Sequence, residues 1–406
     1  MKRKRLAFIL GIRPDVIRAS LILKKLRADT ECDLRFIWSG QHYSDNLKDI
    51  FFRELQVAAP DIELGAAGAN DAEISASVIA RLYPVLESLQ PDAAVFLGDT
   101  NTVVGCLAAA QLNIPIVHIE GCMRSYDWRM PEEKYRSTID HLSDVIYTYL
   151  PEYKQQGVAE GLNPDSIVVV GNPIVDVLNE YYFARQDHFA CLASEQFFAA
   201  RGIARDSYYL MTCHRRENVH QRESLGRILQ LVSAADSTVY FPASYRTQKL
   251  LREFGLSLPS NLVITDPVGY EEFLVLMTRS RGILTDSGTV VEEACVLQIP
   301  CVQMRKSTER PQVYAVGAAV KFDPNLPEAY PIKAVLRKLT ALQGKQWPNP
   351  FGDGRSSERI AEDLLRRLRE DAFARHRPDC YHLDIAGSYR EDGLIVVSRK
   401  PSNSPA

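Results

Sequence analysis

Short apolar runs recur along the chain, separated by longer stretches with helical spacing. In the first half the runs lie at 6–10, 35–38, 93–97, 114–119, 145–150 and 167–170. In the second half they lie at 208–212, 238–241, 262–265, 282–285, 301–304 and 318–322. They favour Val, Ile and Tyr and are too short for helices, so they predict strands buried on both faces. The stretches 72–89 and 221–234 have the length and spacing of crossover helices. Strands alternating with helices imply parallel sheets covered on both sides. Two such blocks predict an α/β protein of two doubly wound, Rossmann-like domains, with the ligand site in the cleft between them.

Gly171-Asn-Pro173 punctuates the chain after the first block, and residues 178–203 read as mostly helical and able to bridge the domains. The expected division is residues 1–176 for the first domain and 177–356 for the second. A final helix, 357–371, and a tail, 372–406, with no clear periodicity complete the chain. At 406 residues with 46% hydrophobic and 24% charged residues, the chain can bury large cores, which excludes general disorder. A net charge of -3 gives no reason to expect nucleic acid. Residues 2–5 are basic, but the apolar run behind them meets Gly11 and Arg13 at once, too early for a signal peptide. No apolar stretch is long enough for a membrane helix. A soluble, cytoplasmic protein is expected. The eight cysteines form no CxxC pair and read as reduced thiols.

Chemistry concentrates where strands end. After the first run comes Gly11-Ile-Arg-Pro14, and the proline predicts a helix start that would place Arg13 at its positive end, facing an anion. Arg13 and Arg18 could equally be solvated surface charges. The third run ends in Gly98-Asp-Thr100, where Asp99 also suits a helix cap. The fourth ends in His118-Ile-Glu120, and a polar loop then leads to Pro131-Glu-Glu133. Asp99, Glu120 and Glu132 are therefore expected on one cleft wall, where like charges would raise one another's pKa towards neutrality. In the second half, His214-Arg-Arg-Glu-Asn218 suits a departing phosphate, although an interdomain hydrogen bond by His214 is the bland alternative. Asp286-Ser-Gly288 and Thr289 open a helix closely enough for backbone N–H groups to meet a phosphate. Glu292 and Glu293 on that helix could accept hydrogen bonds from ribose, or simply be acids in an ordinary first turn. There is no GxGxxG fingerprint and no metal-ligand spacing, so neither a bound dinucleotide nor a metal is expected.

These motifs, with Thr308-Glu-Arg-Pro311 and Asn349-Pro-Phe-Gly-Asp-Gly354, resemble in order the non-hydrolysing UDP-N-acetylglucosamine 2-epimerases, over about residues 5–370. The resemblance implies two domains facing a cleft (the GT-B arrangement), with the last helix crossing back onto the first. It implies catalytic carboxylates at Asp99, Glu120 and Glu132, with His214 and the arginines stabilising the departing phosphate. The diphosphate would meet Ser287, Gly288 and Thr289, the ribose Glu293, and the uracil Val268 and Phe273. Arg13, Arg18 and Arg310 would complete the substrate site. It further implies a homodimer and a UDP-sugar substrate, with no nucleic-acid or membrane partner, and the chemistry needs no cofactor.

The chain departs from the family pattern in places. Asp15 and Arg18 stand where Glu and Lys are usual, and Arg18 keeps the charge without being able to act as a base. Glu120-Gly-Cys-Met-Arg124 replaces Glu-Ala-Gly-Leu-Arg, Tyr135 replaces Asn, and Thr289 replaces a second glycine. Ser39-Gly-Gln-His-Tyr43, Phe51-Phe52 and Ser244-Tyr-Arg-Thr247 are similar to the branch acting on modified UDP-sugars. Substitutions at Tyr43, Ser44 and Ser244 suggest that an activating second UDP-sugar site is lost. The expected activity is interconversion of UDP-GlcNAc and UDP-ManNAc. The alternatives are 2-epimerisation of UDP-N-acetylfucosamine or a diacetamido-uronic acid donor, a glycosyltransferase on the same architecture, and a non-catalytic sugar sensor.

Overall fold

A computed structural model describes residues 3–40 and 45–373, with the backbone alone for 45–49. The first sheet contains β1 (Lys4–Leu10), β2 (Cys32–Trp38), β3 (Ile62–Glu63), β4 (Ala93–Leu97), β5 (Ile116–Ile119), β6 (Val145–Thr148) and β7 (Ile167–Val169). Its order is β3-β2-β1-β4-β5-β6-β7, and every pairing is parallel. The second contains β8 (Tyr208–Thr212), β9 (Thr238–Pro242), β10 (Leu262–Thr265), β11 (Ile283–Thr285), β12 (Cys301–Gln303) and β13 (Ala319–Lys321), in the order β10-β9-β8-β11-β12-β13. Both are doubly wound Rossmann-type sheets, as the alternating pattern predicts.

Twelve of these strands coincide with apolar runs in the sequence, because a parallel strand covered on both faces has no polar positions to interrupt it. Leu6, Phe8 and Leu10 pack on one side of the first sheet and Ala7 and Ile9 on the other, all at 0% exposure. Removing each large side chain of this set from water contributes roughly 1.5–3 kcal/mol. β3 is the exception. It is a two-residue edge strand, pairing Ile62 with Ile37 and Glu63 with Trp38, and carries no run that could announce it.

The helices follow the expected spacing. The first runs Arg13–Ala28 with Pro14 in its opening turn. The crossover helices are Asp71–Leu89 and Arg222–Ser233, and the stretch after β7 is broken into Pro173–Tyr181, Gln186–Leu192 and Glu195–Ala199. The last helix, Ser356–Arg369, leaves the second sheet and packs on Arg13–Ala28 and Pro173–Tyr181. Its start is fixed by Asp176, whose carboxylate accepts the N–H groups of Ser356 (3.1 Å) and Ser357 (2.6 Å). The two chain crossings are tied together where the Asn172 N–H donates to the Phe351 carbonyl at 2.9 Å. Gly171 there has φ +90°, and a Cβ on it would sit 2.5 Å from Ser356 Oγ. The seven described cysteines are unpaired, and no described helix is long and apolar enough to cross a membrane.

In each sheet the strand order reverses beside the first strand, between β1 and β4 and between β8 and β11. Loops leaving those strands diverge and open a crevice beyond their carboxyl ends. Gly11–Arg18 and Gly98-Asp99 leave one such point, and Cys213–Asn218 and Asp286–Thr289 leave the other.

Candidate active site

On the first sheet's side, Asp99 is not a helix cap. Thr100 caps the following turn with its side chain, and the Asp99 carboxylate forms a close ion pair with Arg136. Arg136 comes from the helix Pro131–Leu142, and its Nη2 also lies 3.6 Å from Glu120 Oε1. Glu120 sits just past β5 with φ +78° and is 1% exposed. Its Oε2 is paired with Arg18 Nη1 and accepts from the Tyr149 hydroxyl at 3.4 Å. Its Oε1 reaches across the cleft to Arg310 Nη2 at 2.9 Å. Glu132 opens the helix that carries Arg136 and reaches across in the same way, accepting from Arg215 Nη1 at 3.0 Å. The expected acid trio is thus brought together, but interleaved with guanidinium groups.

This interleaving corrects the expectation that like charges dominate the pKa values. Burial pushes Asp99 upward, yet Arg136 and Arg215 outweigh it and hold the carboxyl below its ordinary value. Glu132 is raised, mainly by burial and secondarily by Asp99, with Arg215 opposing.

On the second sheet's side, the His214 and Arg215 amides (3.0 and 2.9 Å) and the Asn218 side-chain amide (3.1 Å) all donate to Asp286 Oδ2. Asp286, at the end of β11, therefore shapes the whole His214–Asn218 turn. The His214 ring is 45% exposed in the cleft, with Nδ1 3.5 Å from Asp286 Oδ1 in its own sheet. Surrounding protein desolvates the imidazole and lowers its pKa, although Asp286 opposes this.

The helix Gly288–Val296 starts at the same point, with Ser287 Oγ accepting from the Val290 N–H at 3.4 Å. Arg310 lies directly over this start, and a Cβ on Gly288 would stand 2.6 Å from its Nη1. Glu292 is fully buried and turned towards Arg310. It accepts from Arg310 Nε at 2.5 Å, while Glu309 takes Arg310 Nη1 at 3.1 Å. Glu293 accepts from the Tyr270 hydroxyl at 2.8 Å, and burial raises its pKa to about 8. Val268 and Phe273 are half-buried and flank Tyr270 at the start of the helix Tyr270–Thr278. Arg13 stands over the Phe51 ring at 5.1 Å. Arg18 is 4% exposed and engaged by Asp15, Glu120 and the Pro14 carbonyl. Gln41 to Ser44 lie outside the described residues, and Ser244 caps the helix Tyr245–Glu253. Among the described residues no group of His, Cys, Asp and Glu could hold a metal ion.

A cleft of this make-up, between two nucleotide-type sheets, agrees with comparisons to known proteins. A family model described as UDP-N-acetylglucosamine 2-epimerase matches residues 24–365. The chain belongs to the UDP-N-acetylglucosamine 2-epimerase family. A relative of that name from Methanocaldococcus jannaschii is 38% identical over 370 residues, covering 89% of this chain and 98% of its own. The crystal structure of the M. jannaschii UDP-GlcNAc 2-epimerase in complex with UDP-GlcNAc and UDP superimposes with a TM-score of 0.81. That alignment has 35% identity and covers 89% of this chain and 99% of the other. A UDP-2,3-diacetamido-2,3-dideoxy-D-glucuronate 2-epimerase from Pseudomonas aeruginosa is 32% identical, over 88% of this chain and 98% of its own.

Several residues of this epimerase cleft escaped the sequence reading. Arg136 carried a usable signal, because it lies four residues after Glu132 and so shares its helix face. Asp286 and Glu309 sit inside motifs that were read for their neighbours. Tyr149 carried no signal, since a buried tyrosine is ordinary on its own.

Proposed function

We propose that the chain is a non-hydrolysing UDP-N-acetylglucosamine 2-epimerase that interconverts UDP-GlcNAc and UDP-ManNAc for surface-polysaccharide precursors. The C2 proton of a pyranose is not next to a carbonyl, so direct removal would leave a very unstable carbanion. Loss of UDP from C1 as the C2 proton leaves avoids this and gives a bound 2-acetamidoglucal. Re-addition of UDP with protonation of C2 from the other face completes the inversion. Two faces need two proton-handling groups. Asp99, Glu120 and Glu132 supply the carboxyls, and the observation that carries the reading is their meeting with Arg136, Arg215 and Arg310 in one cleft.

His214, Arg13 and Arg310 would stabilise negative charge growing on the departing diphosphate. Ser287, Gly288 and Thr289 would seat that diphosphate, Glu293 the ribose, and Val268 with Phe273 the uracil, with Arg18 supporting Glu120. The chemistry calls for no redox cofactor and no metal. We assign residues 1–176 to a domain carrying the carboxylates and 177–356 to a UDP-binding domain. Helix 357–371 returns to the first, and the protein works as a cytoplasmic homodimer. The P. aeruginosa relative favours a second reading, in which the same reaction acts on a diacetamido-uronic acid donor.

Proton NMR with UDP-GlcNAc in D₂O tests both readings. Deuterium at C2 together with a UDP-ManNAc anomeric signal establishes the first. Exchange only with the diacetamido-uronic acid donor establishes the second, and UDP binding without exchange of either donor refutes both.

A further inference from the structure

Asp15 is fully buried in the opening turn of the helix Arg13–Ala28, behind Glu120. Its Oδ1 accepts from Arg18 Nη2 at 2.9 Å, and its Oδ2 has no hydrogen-bond partner. The other end of the same guanidinium, Nη1, is paired with Glu120 Oε2. Arg18 Nε donates to the Pro14 carbonyl at 3.3 Å, so the plane of the fork is fixed. Both side chains press against Gly98, where a Cβ would lie 3.2 Å from Asp15 Oδ1 and 3.4 Å from Arg18 Nη2. Gly98 has φ +86° and leads directly into Asp99.

We propose that Asp15 is a positioning residue for the epimerase reaction, dividing Arg18 between itself and Glu120 and so setting how basic Glu120 is. The inference rests on the epimerase reading above. A purely structural role explains the arrangement poorly. A buried ion pair with one bare carboxylate oxygen is seldom more stable than apolar packing of the same volume. Its value lies in the second end of the fork. A guanidinium shared by two carboxylates holds each less tightly than one serving a single partner. An ionised Asp15 therefore loosens Arg18's hold on Glu120 and makes Glu120 a stronger base. A neutral Asp15 leaves Arg18 to Glu120 alone. Lysine could not act in this way, because a point charge has no two separate ends.

The charged groups facing Asp15 are Arg18 on its own helix and Asp99 from the end of β4, with Glu120 beyond Arg18 and Arg136 beyond Asp99. Burial is the largest influence and Asp99 adds to it. Against the opposition of Arg18, they raise the Asp15 pKa to about 7. The division of Arg18 thus changes within the working range, and proton removal by Glu120 strengthens as pH rises through neutrality.

The test is the pH profile of C2 deuterium exchange for the wild type, Asp15→Asn, Asp15→Glu and Arg18→Lys, with KM and UDP affinity measured alongside. The wild type should show a limb near neutral pH. Asp15→Asn should lose that limb and exchange several-fold more slowly on the alkaline side. KM and UDP affinity should not change, because Asp15 does not reach the cleft. Asp15→Glu should restore the limb and Arg18→Lys should remove it, which keeps the test decisive if Asp15→Asn folds poorly. Asp15→Asn with the wild-type profile, or with KM raised as much as kcat falls, overturns the proposal. A wild type without exchange on any donor overturns the epimerase reading instead.

Discussion

Replacing Asp286 by Asn tests whether one carboxylate at the end of β11 holds the His214 turn in place. Asp286 is fully buried, and its Oδ2 alone accepts the His214 and Arg215 N–H groups and the Asn218 amide at 2.9–3.1 Å. Hydrogen bonds to a charged acceptor contribute about 1.5–3 kcal/mol each, against roughly 0.5–1.5 for neutral pairs. Asparagine keeps one acceptor oxygen, so three bonds each weaken by about 1 kcal/mol, and its NH₂ must also face the second approach of the His214 N–H. The expected loss is about 3 kcal/mol, confined first to this turn. Hydrogen–deuterium exchange of a peptide spanning 208–218 reads it directly. At about 1.4 kcal/mol per tenfold, protection of the His214 and Arg215 amides should fall about a hundredfold. The ring of His214 moves with its backbone, and a misplacement on the order of 1 Å in a catalytic group can cost about a hundredfold in rate. C2 exchange should therefore fall with amide protection. Protection within threefold of wild type, or full exchange activity from a loosened turn, would refute the assignment of Asp286 as the anchor.

Other substitutions separate chemistry from scaffold. Glu132→Gln should lower C2 exchange by roughly 10²–10⁴, the usual worth of a positioned proton-transfer group, while calorimetry still detects UDP binding. Exchange within tenfold of wild type would remove Glu132 from the proton-handling set. Asp140→Asn probes the support beneath Gly98. His118 bridges Asp140 (2.6 Å) to the Gly98 carbonyl (2.8 Å), and Asp140 also holds Arg124 at 2.7 Å. Burial raises the Asp140 pKa, but His118 and Arg124 outweigh it and bring it to about 2 from an ordinary 3.8. A carboxyl lowered in this way stabilises the fold above its unfolded value and loses that contribution as pH falls through the folded value. The variant should thus lose about 2 kcal/mol at neutral pH, a deficit that shrinks between about pH 4 and pH 2 in urea titrations. A deficit independent of pH would argue against the ionised pair. Gly171→Ala should lower the melting temperature by several degrees, since φ +90° costs a side chain about 1–2 kcal/mol and its Cβ meets Ser356 Oγ at 2.5 Å. An unchanged melting temperature would show that the crossing relaxes freely.

Much of the architecture was legible because parallel strands buried on both faces write themselves as unbroken apolar runs. β3 was not, since an edge strand of two residues needs no such run. The site was legible as a set of strand-end motifs but not as a network. Glu120 and Arg310 are 190 residues apart, and Glu132 and Arg215 are 83 apart, so nothing local records that they touch. Nor does the helix position of Glu292 record that one of its oxygens accepts from Arg310, 18 residues further on. Asp99 was open to a capping reading because a short acid after a strand usually caps. Here the next residue does that work and leaves Asp99 to Arg136.

The network also bears on how carboxyls on one cleft wall can differ in acidity at a single pH. Inverting a carbon by proton removal on one face and delivery on the other needs one group ionised while another is protonated. Equivalent carboxyls repelling one another would not sort themselves. The arginines break the equivalence. Asp99 and Glu309 each lie near more than one guanidinium, and both are held below their ordinary values against the burial that would raise them. For Glu132 the main opposing charge is Arg215 and for Asp15 it is Arg18, and for both of them burial prevails. Groups pushed in opposite directions by their surroundings are what acid–base catalysis at one pH requires. In the proposed reaction, then, the division of labour among the acids follows from where Arg18, Arg136, Arg215 and Arg310 stand. Arg310 adds a further step, because it lies on the start of the helix Gly288–Val296, where a diphosphate would bind. A diphosphate that drew Arg310 away would leave Glu120 with one guanidinium fewer.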